Sequence, residues 1–125
     1  AWLGMALASI MNRAVMITDM NRFIDIGVNL SASSFKKDCS AVIERAQQVN
    51  VSQLIVTGTN IEHSELALKL TQKYPSVCYA TAGLHPHDAS DYCSVLDSEL
   101  RDMLKQETVV AVGECGLDFN RNFST

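Results

Sequence analysis

The chain has no cysteine pair at C-x-x-C spacing, no glycine-rich phosphate or dinucleotide loop and no nucleophile elbow or Ser-His-Asp pattern. It also lacks a basic stripe interleaved with aromatics, any low-complexity linker and any internal repeat. Each absence removes a class. Without C-x-x-C, neither a zinc knuckle nor a redox dithiol is expected, and Cys39, Cys78, Cys93 and Cys115 read as reduced thiols. Without a P-loop or a G-x-G-x-x-G turn, phosphate binding by a Walker loop and a Rossmann cofactor site are not indicated; Gly27 stands alone after the first apolar run. A formal net charge of −4 gives no general attraction to nucleic acid or anionic membranes. It leaves room for an enzyme of nucleic acids whose positive field is local or comes from metal ions.

Residues 1–19 differ from the rest. Ala1 to Met11 is apolar apart from Ser9, and four of the five methionines fall between Met5 and Met20. A signal peptide places positive charge before its apolar stretch, whereas Arg13 follows it here. The stretch is too short to span a bilayer. It reads as upstream or non-native sequence with Met20 the natural start, or else as a weak amphipathic helix. Residues 20–125 read as the domain. No membrane partner is expected, and the missing signal points to a cytoplasmic location.

From Phe23 onward strand and helix patterns alternate. Phe23 to Val28, Leu54 to Thr57, Val77 to Ala82 and Thr108 to Val112 are short apolar runs suited to strands buried in a parallel sheet. Between them, Val42, Ile43, Ala46 and Val49 mark one helical face. Leu66, Ala67, Leu70 and Tyr74 mark a second, and Leu96, Leu100, Met103 and Leu104 a third. Thr59 to Glu62 has the form of a capping box, and Pro75 suits a stop beyond the second helix. The repeat of about 24 to 32 residues per strand-plus-helix is that of βαβ units. A (β/α)₈ barrel needs about 250 residues. Four strands with three helices are therefore expected to be the N-terminal half of such a barrel, with an open doubly wound sheet as the alternative.

The ends of the strands carry the polar chemistry, where α/β barrels keep their sites. Gly113-Glu114-Cys115-Gly116-Leu117-Asp118 puts a carboxylate at a strand end. It is costly there unless paired or bound to metal, so Glu114 is either a metal ligand or an ion-pair or capping group. Asp118 fits a role in capping or orienting that loop. Gly83-Leu84-His85-Pro86-His87-Asp88 offers two imidazoles. In an extended segment they would point opposite ways, one to the site and one to packing or solvent. His85, nearer the strand end, is the candidate for phosphate contact or proton transfer, against a structural histidine bonded to loop carbonyls. Asn29, after the first strand, either reaches a substrate or simply makes a turn. Thr59 and Asn60 open a helix whose N–H groups could take an anion, though capping alone explains them. His63 is expected on a helix surface.

Phe23 to Leu30, Thr57-Gly58-Thr59-Asn60, Gly83 to Asp88 and Gly113 to Asn122 together resemble the TatD family of metal-dependent deoxyribonucleases. The resemblance implies a TIM-type barrel of the metallohydrolase group. It further implies a 3′–5′ exodeoxyribonuclease activity on DNA, with single strands or 3′ ends preferred, and a monomeric complete protein. Glu114 is then a metal ligand and His85 a substrate contact beside the metal. The ion is divalent: magnesium foremost, with manganese or zinc as alternatives. Gly27 and Asn29 stand where many relatives carry a His-x-His pair, and the smaller ligand set favours oxygen-preferring magnesium. The family's other ligands, two histidines and an aspartate on later strands, lie beyond residue 125. Two readings compete with the nuclease. In one, residues 1–125 alone are a catalytically silent half-barrel with an uncovered strand edge and apolar face. In the other, the barrel is a small-molecule amidohydrolase.

Overall fold

Four parallel strands, hydrogen-bonded in sequential order, form one sheet. The computed structural model describes residues 22–121 and residue 123. The expectation that residues 1–19 are an extension and that the domain starts at residue 20 therefore lies outside the described residues. The strands are β1 (Phe23–Val28), β2 (Val51–Val56), β3 (Cys78–Ala82) and β4 (Val109–Val112). They alternate with α1 (Cys39–Gln48), α2 (Ile61–Lys73) and α3 (Ser94–Met103). Short 3₁₀ segments at Ser33–Phe35 and Pro86–Asp91 interrupt the first and third crossovers. This is the expected partial barrel, with strand boundaries within two or three residues of those read from the apolar runs.

Alternation along the strands decides what is buried. Leu54 and Val56 of β2 and Cys78, Ala80 and Ala82 of β3 face the helices and are fully covered. They join Leu30, Ile43 and Ala67 in the core. Burying a side chain of the size of Ile43 contributes about 1.5–3 kcal/mol. The β3 face is built of small residues, so α2 lies close against it. At Gly58 a Cβ would overlap the Ser64 hydroxyl and come 2.5 Å from the Thr81 carbonyl oxygen, so only glycine fits there.

The helices depart from the simple apolar faces in two places. On α1, Ile43 is fully buried with Val42 and Ala46 beside it, but Val49 lies past the last turn and is exposed. On α2, Ala67, Leu70 and Tyr74 pack inward as expected, whereas Leu66 sits at the rim. Buried Ser64 and Thr71 take part of that face. Each has a polar partner: Ser64 Oγ accepts from Gly83 N–H at 3.4 Å, and the Thr71 hydroxyl lies 2.9 Å from both the Leu68 carbonyl and the Thr108 hydroxyl. Paired hydroxyls can replace aliphatic groups in a core. The α3 face of Leu96, Leu100, Met103 and Leu104 is only half-buried.

The start of α2 corrects two expectations. Asn60, not Thr59, is the N-cap, and its side chain accepts from the His63 N–H at 2.9 Å. Thr59 instead bonds His63 Nδ1 through its hydroxyl at 2.6 Å. His63, expected on the helix surface, is thus half-buried and partnered.

On the other face of the sheet stand Ile24 and Ile26, with Ile55 opposite Tyr79. No described helix covers it, and Ile26 is 79% exposed. Val110 and Val112 of β4 are exposed too, so both edge strands present apolar side chains. The uncovered apolar face anticipated for half a barrel is present. Among the described residues no helix is long and apolar enough to cross a membrane.

Candidate active site

The C-terminal ends of β2, β3 and β4 are stitched together by a short polar network. Thr81, on β3, donates its hydroxyl to the Gly113 carbonyl at 2.6 Å and accepts from the Gly58 N–H at 3.1 Å. Gly113 N–H bonds Ala82 O at 3.0 Å, Glu114 N–H bonds Gly58 O at 2.9 Å, and His85 N–H bonds Thr59 O at 2.7 Å. The Gly113–Glu114 peptide is cis. Gly83 is the close-approach point: a Cβ there would overlap the Glu114 carbonyl oxygen and fall 2.5 Å from the Gly113 carbonyl carbon. Bare backbone at Gly83 lets the β4 end run directly against the β3 end.

This arrangement brings together the two residues that the strand-end argument singled out. His85 Nε2 lies 3.8 Å from Glu114 Oε2. That is too long for a hydrogen bond, so the two groups stand side by side and each stays available to a third atom. Their side chains are 29% and 49% exposed. His85 Nδ1 accepts the His87 N–H at 3.0 Å. An accepting Nδ1 places the proton of a neutral ring on Nε2. His85 therefore presents an N–H donor toward the carboxylate and the open mouth.

His87 settles differently from the extended-segment expectation. Pro86 starts a 3₁₀ helix at this point, so the two rings do not diverge but meet edge to face with centroids 4.3 Å apart. His87 Nε2 bonds Asp118 Oδ2 at 3.0 Å and its ring lies 4.4 Å from that of Phe123. Asp118 orients the loop, as its position suggested. Its Oδ1 accepts the N–H groups of Asn120 at 2.8 Å and Arg121 at 3.1 Å. The Asn120 N–H is the main reason its carboxyl is held below the usual range, helped by Arg121 N–H and His87 against some desolvation.

Asn29 lies at the same end of the sheet, after β1. Its side chain accepts from Ser31 Oγ at 3.4 Å and its carbonyl from Ala32 N–H at 3.1 Å, so it forms the turn. No bond among the described residues joins it to His85 or Glu114. Strand-end reasoning passed over Phe119 and Arg121. With His85, Pro86, His87, Leu117, Asp118 and Asn120 they line an open groove of about 640 Å³. Their signal was weak, since both lie beyond the strand end in a loop without periodicity.

A divalent ion would find one carboxylate here, Glu114, with an imidazole beside it. Among the described residues no group of three His, Cys, Asp or Glu side chains could hold an ion. One carboxylate fits a single ligand position and does not close a magnesium or zinc site. Cys115 is exposed, and all four cysteines are free thiols.

Parallel strands in sequential order, helices on one face and polar groups gathered at the strand C-termini define part of a (β/α) barrel. Comparison with known proteins gives the family: residues 24–125 match the family of TatD related DNases, and the chain belongs to it. It is 52% identical over 101 residues to the 3′-5′ ssDNA/RNA exonuclease TatD of Pectobacterium carotovorum subsp. carotovorum, covering 81% of this chain and 39% of that protein. The protein of the same name from Salmonella typhimurium is also 52% identical over 101 residues, with 81% and 38% covered. In structure the chain resembles YJJV, a TatD homologue from Escherichia coli K12, with a TM-score of 0.71 and 35% identity. The match covers 81% of this chain and 39% of that one. The chain thus spans about two-fifths of the length of the curated relatives it matches.

Proposed function

We propose that the complete protein hydrolyses phosphodiester bonds of single-stranded DNA or RNA from the 3′ end, with Glu114 as a metal ligand and His85 as a phosphate contact. The observation that carries this reading is the pairing of His85 Nε2 and Glu114 Oε2, 3.8 Å apart at the C-terminal ends of β3 and β4. Names of the relatives support the substrate class, and the strand-end placement of His85 and Glu114 supports the roles. TatD nucleases generally depend on metal. A bound divalent ion supplies water activation and neutralises charge on the attacked phosphate. We favour magnesium, because carboxylate ligands suit hard cations.

The described residues have three tasks. Glu114 offers a carboxylate from a backbone anchored by the Gly58 carbonyl at the strand end. His85, with its Nδ1 occupied by the His87 N–H, keeps Nε2–H free to donate to a phosphate oxygen. The Asp118–His87 bond holds the loop after β4 against the loop after β3. One carboxylate does not close a metal site, and among the described residues no group of three possible ligands stands together, so residues 1–125 alone are expected to be inactive.

A 3′–5′ exonuclease assay with magnesium tests both statements. Residues 1–125 should release no nucleotide. In a chain of the relatives' length carrying these residues, Glu114→Gln should abolish metal-dependent release and His85→Ala should lower kcat strongly. Full activity in the Glu114→Gln protein would remove the metal role. Nucleotide release from residues 1–125, lost in Glu114→Gln, would show that the site is already complete.

A further inference from the structure

The geometry points to Phe119 and Arg121 as the groups that grip a single strand beside His85, Phe119 stacking on a base and Arg121 meeting the adjoining phosphate. This rests on the nuclease reading above and adds what in the site recognises the strand. Phe119 is 92% exposed, more than any other large apolar side chain described. Its ring makes no aromatic contact among the described residues, whereas Phe123, in the same loop, lies against His87. The ring lines a groove that also contains imidazoles and a guanidinium. Every base has a π-face, so such a ring suits a polynucleotide of any sequence.

The groove is the right kind of surface. At about 640 Å³ it lies within the range of small-ligand sites, and it opens widely to solvent. His85, the proposed phosphate contact, lines it from the loop after β3, and Leu117, Phe119 and Arg121 line it from the loop after β4. That loop is held in place. Asp118 accepts two N–H groups of its own turn and bonds His87 across the groove, so little backbone order has to be created on binding. The Asp118 charge is thereby engaged, and no ion pair among the described residues occupies the Arg121 guanidinium. A planar guanidinium is well matched to phosphate oxygens.

The inference is tested on the full 125-residue chain in EDTA, so that binding is read without cleavage. Fluorescence anisotropy compares a labelled oligo-dT with an abasic strand of the same length. Phe119→Ala should weaken oligo-dT binding roughly 5- to 160-fold, the range alanine substitution gives for stacked bases, and leave the abasic strand unchanged. Phe119→Trp should keep the affinity. Its tryptophan emission should be quenched by oligo-dT and not by the abasic strand, with the wild-type chain, whose single tryptophan is Trp2, as background. Arg121→Gln should weaken both strands alike and lower the salt slope by about 0.7. Equal binding of both strands by wild type, or a Phe119→Ala effect that is absent or identical on the two, overturns the inference and leaves the nuclease reading standing. A wild-type chain that binds neither strand likewise overturns the inference, while the nuclease reading, which concerns the complete protein, is decided by the exonuclease assay above.

Discussion

Replacing Gly83 with alanine should loosen the whole site from a position that touches no substrate. A Cβ at Gly83 would overlap the Glu114 carbonyl oxygen and lie 2.5 Å from the Gly113 carbonyl carbon and 2.7 Å from its oxygen. All three are backbone atoms, so no side chain can swing aside. The β4 end must move away, stretching the bonds from Gly113 N–H to Ala82 and from Glu114 N–H to Gly58. Overpacking costs about 1–3 kcal/mol and each weakened hydrogen bond about 0.5–1.5 kcal/mol. Together they give about 2–6 kcal/mol, a large share of the stability of a domain this size. The control is Gly27→Ala, where the nearest atom to a Cβ is Thr57 Oγ1 at 4.0 Å. That change should stay within about 1 kcal/mol and can stabilise through the unfolded chain. Urea unfolding followed by far-UV circular dichroism reads both, and NMR of the His85 ring reports whether Glu114 has moved. A Gly83→Ala midpoint equal to wild type, with unshifted His85 signals, would refute the close-packing argument.

Two further outcomes follow from the titratable groups. Burial pushes the Cys78 thiol up to about 11, with Cys39 adding to it, so at pH 8 it carries about 100-fold less thiolate than a thiol at the ordinary 9.0. Iodoacetamide at pH 8, mapped by mass spectrometry, should modify exposed Cys93 and Cys115 and spare Cys78 until the chain unfolds; early labelling of Cys78 would contradict the core placement. The Asp118 carboxyl is depressed in the folded state, so its contribution to loop order is complete above the unfolded value of about 3.9 and is lost as pH falls through the folded one. The amide signals of Asn120 and Arg121 should therefore hold steady from pH 7 to about 4 and shift below it, while Asp118→Asn shows no such step. Identical acid titrations in the two proteins would exclude Asp118 as the group holding that turn.

Much of this was legible in the residues. Strand and helix periods located every described strand and all three helices, since a covered parallel strand needs an apolar run and a covering helix a 3.6-residue stripe. Glu114 and His85 could be picked out because ionisable groups at strand ends are costly without a purpose. The capping of α2 by Asn60 escaped because Thr59 and Asn60 are both competent caps and only backbone geometry separates them. His63 escaped with it, since its partner Thr59 was assigned to the cap.

Order along the chain was enough to determine a βα succession, an apolar helix-facing side and two polar loops at one end. It could not determine that His85 and Glu114 stand side by side, that His87 turns to Asp118, or that Phe119 and Arg121 face the same groove as His85. Those relations join residues about 30 apart in sequence, and they depend on the twist of the sheet, the 3₁₀ turn begun by Pro86 and the bare backbone at Gly83. Local propensity carries no information about such distances; they exist only once β3 and β4 have packed together.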